Sequence, residues 1–154
     1  MKLKPKNKGI YFFTEHGDWG FLSPMYQCRI IIDNIEYKSA EHYYQSMKIK
    51  NNDDKSWIRA ATNGYEAKKR AHTLVSENKV VKNTVDDKLK IMRRAFLEKF
   101  VQNPNIAKKL LATGDALLYE NSPHDLFWGM KGENWIGRIL MEIREKLSKK
   151  EKLV

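Results

Sequence analysis

Apolar residues recur every three or four positions along most of this chain, which is the period of helices with one buried face. The longest such stripe predicts a helix from a Thr84 cap to about Val101, with Asp87 completing a capping box. Its apolar members are Val85, Leu89, Met92, Phe96 and Phe100. A second long helix is predicted from Trp135 to Leu147. Its inward-facing residues are Ile136, Ile139, Leu140 and Ile143.

Four shorter helices are predicted between and before these two. The first begins at Ser39, whose hydroxyl suits an N-cap, and runs to about Lys50. The others are a short helix around Trp57, Ile58 and Ala61 closed by Asn63-Gly64, a helix from Tyr65 to His72, and one from Pro104 to Thr113-Gly114.

Short apolar runs predict a few strands. Asp33-Asn34 is a two-residue turn between Cys28–Ile32 and Ile35–Lys38, and this pattern is typical of a β-hairpin. Ile10–Phe13 and Ala116–Tyr119 are further strand candidates. The fold class predicted is therefore mainly α, a compact single multihelical domain with a small N-terminal β-hairpin or sheet.

The composition is that of one globular domain. The chain has 154 residues, of which 42% are hydrophobic and 31% charged. We expect a flexible basic arm over residues 1–9, the domain over 10–147 and a basic tail over 148–154. One cysteine, no membrane-length apolar run and no signal-peptide core predict a cytoplasmic protein with no membrane partner.

Charge is the unusual feature of the composition. The formal net charge is +10, and such a field attracts phosphate groups on a small metabolite or on a nucleic acid. Lysine-rich composition that serves only solubility explains the same number, and the sequence leaves both explanations open.

Several classes of enzyme are excluded by missing motifs. Glu41-His42 lacks a second histidine at the spacing of zinc proteases, and no CxxC pair occurs. The glycine-rich dinucleotide and P-loop motifs and the GxSxG elbow are also missing. Cys28 lies in an apolar run and is interpreted as a core residue. We therefore predict neither a metal site nor a cofactor.

The stretch EHYYQSMK, from Glu41 to Lys48, is the first candidate for chemistry. On a helix, Glu41, Gln45 and Lys48 are spaced i, i+4 and i+7, so they share one face and can line a polar pocket. A carboxylate there can stabilise a developing cation or accept a proton from water. Lys48 can bind phosphate or act as an amine nucleophile, and Gln45 can bind a base edge or a ribose hydroxyl. A simple helix-capping acid and two surface side chains are the alternatives.

The loop from Glu120 to Asn134 is the second candidate. Glu120 and Asp125 add carboxylates, and Trp128 offers a flat face for a nucleobase, although it can equally be a core aromatic. Gly129 allows the backbone to approach a ligand. Ser23, in the short loop that begins at Gly20, belongs to a third and weaker candidate region.

Together these segments resemble the NADAR or YbiA-like family of N-glycosidases, over the chain from Tyr11 to Arg144. The matching blocks, specific in this order and spacing, are GFLS at 20–23, EHYYQSMK at 41–48, EAKKRA at 66–71, IMRRAFLEKFVQNP at 91–104, LLATGDALLYE at 110–120, DLFWG at 125–129 and ENWIGRILMEIR at 133–144.

The resemblance implies a compact, mainly helical enzyme that cleaves the bond between a ribosyl carbon and a nitrogenous base without a metal or cofactor. One branch of the family hydrolyses ribosylamino-pyrimidine phosphates of riboflavin synthesis. Another removes ADP-ribose from guanine in nucleic acid. The expected substrate is thus a phosphorylated ribosyl-base or an ADP-ribosylated one, with nucleic acid as a further partner of the second branch. A non-catalytic module that binds ADP-ribose or nucleic acid is the alternative.

The motif match also implies roles for individual residues. Glu41, Lys48 and Asp125 are the expected catalytic residues: Glu41 for the cationic sugar or the attacking water, Lys48 for phosphate or a transient imine, and Asp125 for ribose hydroxyls or the leaving base. The expected substrate-binding residues are Gln45, Trp128, Ser23, Gly129, Glu120 and Asn134.

Two positions depart from the family pattern. Pro24 stands where the family usually has asparagine, and the segment Met130–Gly132 is condensed. Both changes concern the expected rim of the pocket, and therefore the choice of substrate more than the type of reaction.

Overall fold

The chain folds mainly into helices, as its apolar periodicity predicts. The fold is that of a computed structural model, which describes residues 8–152. Its elements are β1 (Gly9–Phe12), a 3-10 turn (Gly20–Leu22), β2 (Ile30–Ile32), β3 (Ile35–Tyr37), α1 (Ala40–Ser46), α2 (Asn52–Arg59), α3 (Gly64–Ser76), α4 (Val85–Gln102), α5 (Pro104–Ala112), β4 (Leu117–Glu120) and α6 (Trp135–Lys152). The mainly α class with small β elements is confirmed. Of the arm predicted over residues 1–9, all but Lys8 and Gly9 lies outside the described residues.

These elements group into two compact units. The first unit combines the chain up to Ser23 with the chain from Pro104 onward, and it contains β1, α5, β4 and α6. The second unit is Pro24–Asn103, and it contains β2, β3 and α1 to α4. Among the described residues, no helix is both long enough and apolar enough to cross a membrane.

In the second unit, the predicted hairpin is confirmed. Asp33 and Asn34 both have positive φ, at 53° and 64°, which is the conformation of the tight turn that joins two twisted strands. The strands pair antiparallel from Ile32 opposite Ile35 to Ile30 opposite Tyr37. Ile30, Ile32 and Tyr37 are buried and pack on α1 and α4, so the hairpin contributes one wall of this core.

Helix α4 begins with the predicted capping box. Thr84 Oγ1 accepts the amide of Asp87 at 3.1 Å, and the Asp87 carboxylate accepts the amide of Thr84 at 2.9 Å. The stripe from Leu89 to Phe100 is buried, but Val85 is 56% exposed. The buried face therefore begins one turn later than the prediction placed it.

Helix α1 ends at Ser46, earlier than predicted, and this corrects the proposed position of Lys48. Beyond the helix, Ile49 forms an antiparallel bridge with Val80. The carbonyl of Lys48 accepts the amide of Val81 at 2.7 Å. The amides of Lys48 and Ile49 donate to the carbonyls of Gln45 and Ser46 at 3.2 Å, three residues back, so the chain leaves α1 through a tight turn. The prediction that the helix extends to Lys50 and carries Lys48 on the face of Glu41 and Gln45 is wrong.

Asn63-Gly64 begins α3, whereas the sequence predicts that this pair closes α2. Asn63 Oδ1 accepts the amide of Glu66 at 2.9 Å, which is N-cap geometry, and Ala60 is the C-cap of α2. Asparagine serves at both kinds of helix end, so the sequence pattern alone was ambiguous.

In the first unit, β1 and β4 pair in parallel, from Gly9 opposite Leu117 to Phe12 opposite Glu120. Such a pair needs a long connection, and here the segments are far apart in sequence. Helix α6 packs on β4 with its predicted apolar face, and it continues beyond Leu147. The loop after β4, which carries most of the second candidate site, is thereby anchored at both ends.

Candidate active site

Helix α1 carries a run of buried polar side chains, which is unusual for a helix of this length. Glu41 is 6% exposed and Gln45 2% exposed, and Ser39, His42 and Ser46 are fully buried. Ser39 caps the helix by accepting the amide of His42 at 3.2 Å. Because buried polar groups need partners, each of these side chains has to be accounted for.

Glu41 and Gln45 form one unit. Gln45 Nε2 donates to Glu41 Oε1 at 2.7 Å across one turn of the helix. The same amide's oxygen, Gln45 Oε1, is buried and has no hydrogen-bond partner among the described residues. An acceptor of this kind is costly to leave unsatisfied, and it suits a donor that arrives with a ligand.

A glycine allows α3 to begin beside Glu41. A Cβ placed on Gly64 would lie 2.5 Å from Met25 Sδ and 3.2 Å from Glu41 Cβ. The amide of Glu41 donates to the carbonyl of Pro24 at 3.0 Å, which fixes the start of α1 against the preceding loop. The Glu41 backbone is thus held from two sides.

His42 is occupied by structural contacts. Its Nε2 lies 3.0 Å from the carbonyl of Ala61, so this nitrogen carries the proton, and the Ser39 hydroxyl donates to Nδ1 at 2.6 Å. Burial lowers the pKa of His42, with Lys38 and Arg70 adding to the effect against the hydrogen bond to Ala61. The histidine is therefore neutral near pH 7 and holds α1 against the end of α2.

Lys48 stays close to Glu41 although it has left the helix. Its Nζ lies 4.8 Å from the centre of the Tyr44 ring. Burial lowers the pKa of Lys48, the Glu41 carboxylate opposes this shift, and Lys88 and Lys68 reinforce it. A half-buried amine with a lowered pKa is suited to act as a nucleophile or to bind an anion.

In the first unit, Asp125 organises its own loop. Its Oδ1 accepts the amides of Phe127 and Trp128 at 2.9 and 2.8 Å. Phe127 and Trp128 meet edge to face, with ring centres 4.6 Å apart, and Trp128 is half-buried. The carboxylate therefore positions Trp128, and its second oxygen makes no hydrogen bond within residues 8–152.

The remaining loop residues are packed against β4. A Cβ on Gly129 would lie 2.6 Å from the carbonyl oxygen of Asp125, so the loop requires glycine there. Asn134, at φ 53°, uses its Oδ1 for the amide of Glu120 and its Nδ2 for the carbonyl of Leu118. Both polar atoms of this side chain are thus engaged with the backbone of β4, which gives Asn134 a structural role.

The structure groups the sequence-predicted site residues by unit. Glu41, Gln45 and Lys48 lie together in the second unit. In the first unit, Glu120, Asp125, Trp128, Gly129 and Asn134 share the loop after β4, while Ser23 is buried at the end of the 3-10 turn.

Neither the cavities nor the acidic clusters suggest a different centre. A cavity of about 590 Å³ in the first unit is lined by Gly9, Trp19, Thr113 and their neighbours, and it contains none of the predicted site residues. Within the described residues, no group of three or more His, Cys, Asp or Glu side chains has the arrangement of a metal site.

Sequence reasoning missed two features of the second unit. The first is the set of basic side chains around Lys48, namely Lys68, His72 and Lys88. The i, i+4 spacing of Lys68 and His72 was the available signal. The second is Lys99, which is fully buried although it is charged by type.

Lys99 is enclosed by aromatic rings. Its Nζ lies 5.0 to 5.4 Å from the ring centres of Phe96, Phe100 and Tyr26. Burial lowers the pKa of Lys99 from 10.5 to about 7, and the nearby Cys28 opposes the shift. Its position seven residues after buried Met92 was the signal in the sequence, because that spacing returns to the same helical face.

Comparison with known proteins identifies the class to which this fold and these residues belong. The model of the NADAR domain matches residues 11–148, a range that spans both units. The chain belongs to the NADAR family, as its motifs predict.

Several relatives are similar over most of the chain. N-glycosidase Npun_R5314 of Nostoc punctiforme is 36% identical, over 90% of this chain and 92% of its own length. N-glycosidase YbiA of Escherichia coli is 31% identical, over 90% of this chain and 88% of its own length. The solved structure of E. coli YbiA superposes with a TM-score of 0.83 at 30% identity, covering 94% of this chain and 88% of that one. Riboflavin biosynthesis protein VVA0006 of Vibrio vulnificus is 35% identical, but this chain spans only 38% of its length.

Proposed function

We propose that the protein is an N-glycosidase that hydrolyses the bond between C1′ of a ribosyl group and a nitrogenous base. The names of the Nostoc and E. coli relatives support the N-glycosidase class that the sequence motifs predict. The observation in the structure that carries the proposal is the buried Glu41–Gln45 pair beside Lys48, with Gln45 Oε1 lacking a partner within the described residues.

Glu41 acts on the sugar. Cleavage of a C1′–N bond builds positive charge on C1′ and the ring oxygen, and a fixed carboxylate stabilises that charge. Gln45 Nε2 holds one carboxylate oxygen in place, and Gln45 Oε1 accepts a hydrogen bond from a ribose hydroxyl. Water then adds to C1′, its proton passes to Glu41, and the leaving nitrogen takes up a proton.

Lys48 is the second reacting group of the proposal. Burial and the neighbouring lysines favour its neutral form, which is the form that attacks a carbon. The amine attacks C1′ as the bond to the base breaks, and the leaving nitrogen takes up the proton that the amine loses. Opening of the sugar ring then gives an imine, which water hydrolyses to return the aldehyde form of the sugar and the free lysine. Borohydride reduces such an imine to a stable adduct, so failure to trap sugar on Lys48 during turnover would remove this route and leave the direct attack of water.

In the first unit, we propose that Trp128 stacks on the leaving base. The hydrogen bonds from the Phe127 and Trp128 amides to Asp125 support this, because they fix the indole in one orientation. Asp125 contacts ribose or base through its second oxygen. The other predicted binding residues in this unit are proposed to line the site around Trp128: they are Glu120, Gly129 and Ser23. Asn134 is the least supported of the predicted binding residues, because both of its polar atoms already bond to β4.

The substrate is proposed to be a ribosylamino-pyrimidine phosphate or an ADP-ribosylated guanine. One assay with two substrates distinguishes them: a ribosylaminouracil phosphate, and an oligonucleotide that carries ADP-ribosylated guanine. Faster loss of the base or of the modification identifies the branch. Tight binding of ADP-ribose with no cleavage of either substrate would instead favour the non-catalytic binding module.

Replacing Glu41 tests the mechanism. Glu41→Gln removes the charge while retaining size, and we expect turnover to fall by about 10²-fold or more, since a fixed charge opposite the developing cation stabilises the transition state more than the ground state. Glu66→Gln is the matched control, because Glu66 is also a first-turn acid of a helix in this unit. Full turnover in Glu41→Gln would exclude the role proposed for Glu41.

A further inference from the structure

Three lysines and a histidine from three segments of the second unit lie around Lys48, itself one of the three, which interacts with Glu41. Lys68 and His72 lie one helical turn apart on α3, Lys48 follows α1, and Lys88 lies near the start of α4. Helix α1 packs against both α3 and α4, which brings the three segments to one place. We call these four residues the lysine cluster.

The backbone holds the lysine cluster in position. Asn83 Nδ2 donates to the carbonyl of Met47 at 3.4 Å, and the bridge between Ile49 and Val80 ties the chain after α1 to the chain before α4. The capping box at Thr84 then sets the direction in which α4 leaves. Tertiary hydrogen bonds therefore fix the backbone near Lys48, and the local capping box fixes the helix start near Lys88.

Within the described residues, no salt bridge neutralises the three lysines of the cluster, although the Glu41 carboxylate opposes the lowering of the Lys48 pKa by burial. Neighbouring lysines are ion-paired, Lys69 with Glu66 at 3.9 Å and Lys79 with Glu77 at 3.2 Å. By contrast, Lys48, Lys68 and Lys88 form no salt bridge in the part of the chain that the structure describes.

The members of the cluster also repel each other. Burial lowers the pKa of His72, and Lys48 and Lys68 lower it further. Burial also lowers the pKa of Lys48, Glu41 opposes this shift, and Lys88 and Lys68 add to it. Like charges kept together at a cost are typical of an anion-binding site.

We propose that Lys68, His72 and Lys88 bind the phosphate on O5′ of the substrate ribose, adjoining Lys48. This inference rests on the proposed N-glycosidase function, and it assigns the phosphate to residues other than Lys48. Lys48 interacts with Glu41 on one side and with Lys68 and Lys88 on the other. With the phosphate on the lysines, C1′ of the same ribose would therefore lie near Lys48 and Glu41. Lysine ammonium groups act as point charges for phosphate, and the His72 ring adds a donor.

The assignment explains why two kinds of substrate suit one fold. A ribosylamino phosphate and an ADP-ribosyl group both carry phosphorus on O5′, as a monoester in the first and a diphosphate in the second. Their shared chemistry is a phosphate oxygen set at a constant distance from C1′. A site that grips this group positions C1′ for Glu41 whichever base is attached.

Binding of ribose 5-phosphate to the full chain, followed by calorimetry, tests the site directly. Lys68→Ala and Lys88→Ala are each expected to weaken binding by about tenfold or more, since a hydrogen bond to a charged group contributes about that factor. Lys69→Ala and Lys90→Ala are matched controls, because they remove the same charge from exposed positions on the same two helices. We expect less than about a twofold change for the controls. Lys68→Arg, which keeps the charge, should retain most of the affinity.

Equal weakening in all four alanine variants would overturn the site, because it would indicate diffuse attraction to a basic protein. Absence of binding to the unaltered protein at millimolar ribose 5-phosphate would also overturn it. Repeating the titration with ADP-ribose separates the two sources of the phosphate: the ligand that loses more affinity in Lys68→Ala is the one whose phosphate the site holds.

Kinetics separate failure of the site from failure of the proposed function. On a phosphorylated substrate, Lys68→Ala should raise KM with little change in kcat, and on the same substrate without its phosphate it should match the unaltered protein. If no substrate is cleaved but binding is lost selectively in Lys68→Ala and Lys88→Ala, the phosphate site stands and the N-glycosidase proposal fails. If cleavage depends on Glu41 while all lysine variants bind alike, the reverse holds.

Discussion

Gln45 shows how much of this candidate site depends on single polar atoms. Its amide donates to Glu41 at 2.7 Å, and this contact fixes which end of the amide is nitrogen, because an oxygen facing the carboxylate would be repelled. The opposite atom is left as a buried acceptor without a partner among the described residues. A structural glutamine would have both ends satisfied, as Gln102 does with Glu98 and Ile31.

Gln45→Glu should shift the pH profile of the reaction. A second carboxylate beside Glu41 raises the pKa of one of the pair, because two like charges in contact disfavour ionisation. Glu41 then ionises at higher pH, so the acidic limb of kcat/KM moves upward. The measurement is kcat/KM against pH.

Gln102→Glu is the control, since it places a new carboxylate next to Glu98 at the same i, i+4 spacing. An unmoved acidic limb in Gln45→Glu, or an equal shift in both variants, would contradict the role given to the Glu41–Gln45 pair.

At the scale of elements, α4 supports both the core and the lysine cluster. Its capping box satisfies two backbone amides at the helix start, only one turn before Lys88. Its middle is buried against the hairpin and α1. The first turn is therefore the part of α4 in which capping, and not packing, maintains the helix.

Thr84→Ala should lower the free energy of unfolding by about 1 kcal/mol, the usual cost of losing a threonine cap. Urea unfolding followed by circular dichroism measures it. Thr62→Ala, at an exposed position outside any cap, is expected to change stability by less than about 0.5 kcal/mol. Indistinguishable midpoints for the two variants would show that the capping box contributes nothing.

At the scale of the whole molecule, the buried Lys99 links stability to pH. Its pKa is about 7 in the folded protein and 10.5 ordinarily, so between these values the unfolded chain binds more protons. Stability therefore rises with pH in this window. The slope expected is on the order of 1 kcal/mol per pH unit.

The free energy of unfolding should thus increase from pH 7 to about 8.5, below the ordinary pKa of the Cys28 thiol. Lys99→Met, which keeps the length of the side chain and removes the charge, should remove most of this increase. Lys90→Met, at an exposed position on the same helix, should retain it. Persistence of the slope in Lys99→Met would show that another group is responsible.

Much of the local structure was predictable because it depends on neighbours in sequence. The caps at Ser39 and Thr84 and the turn at Asp33-Asn34 were identified correctly, since side chain, amide and φ preference all lie within four residues. The end of α1 was not, because the hydrogen bonds that stop it come from the chain after α3.

The sequence by itself determined the family, the mainly helical class, the caps and the residues grouped around Glu41. Tertiary structure alone decided that Lys48 leaves the helix, that His42 is held by Ser39 and Ala61, and that Lys99 is buried. The physical reason is distance along the chain. Propensity and periodicity act over a few residues, whereas burial and the clustering of charges depend on which remote segments come into contact.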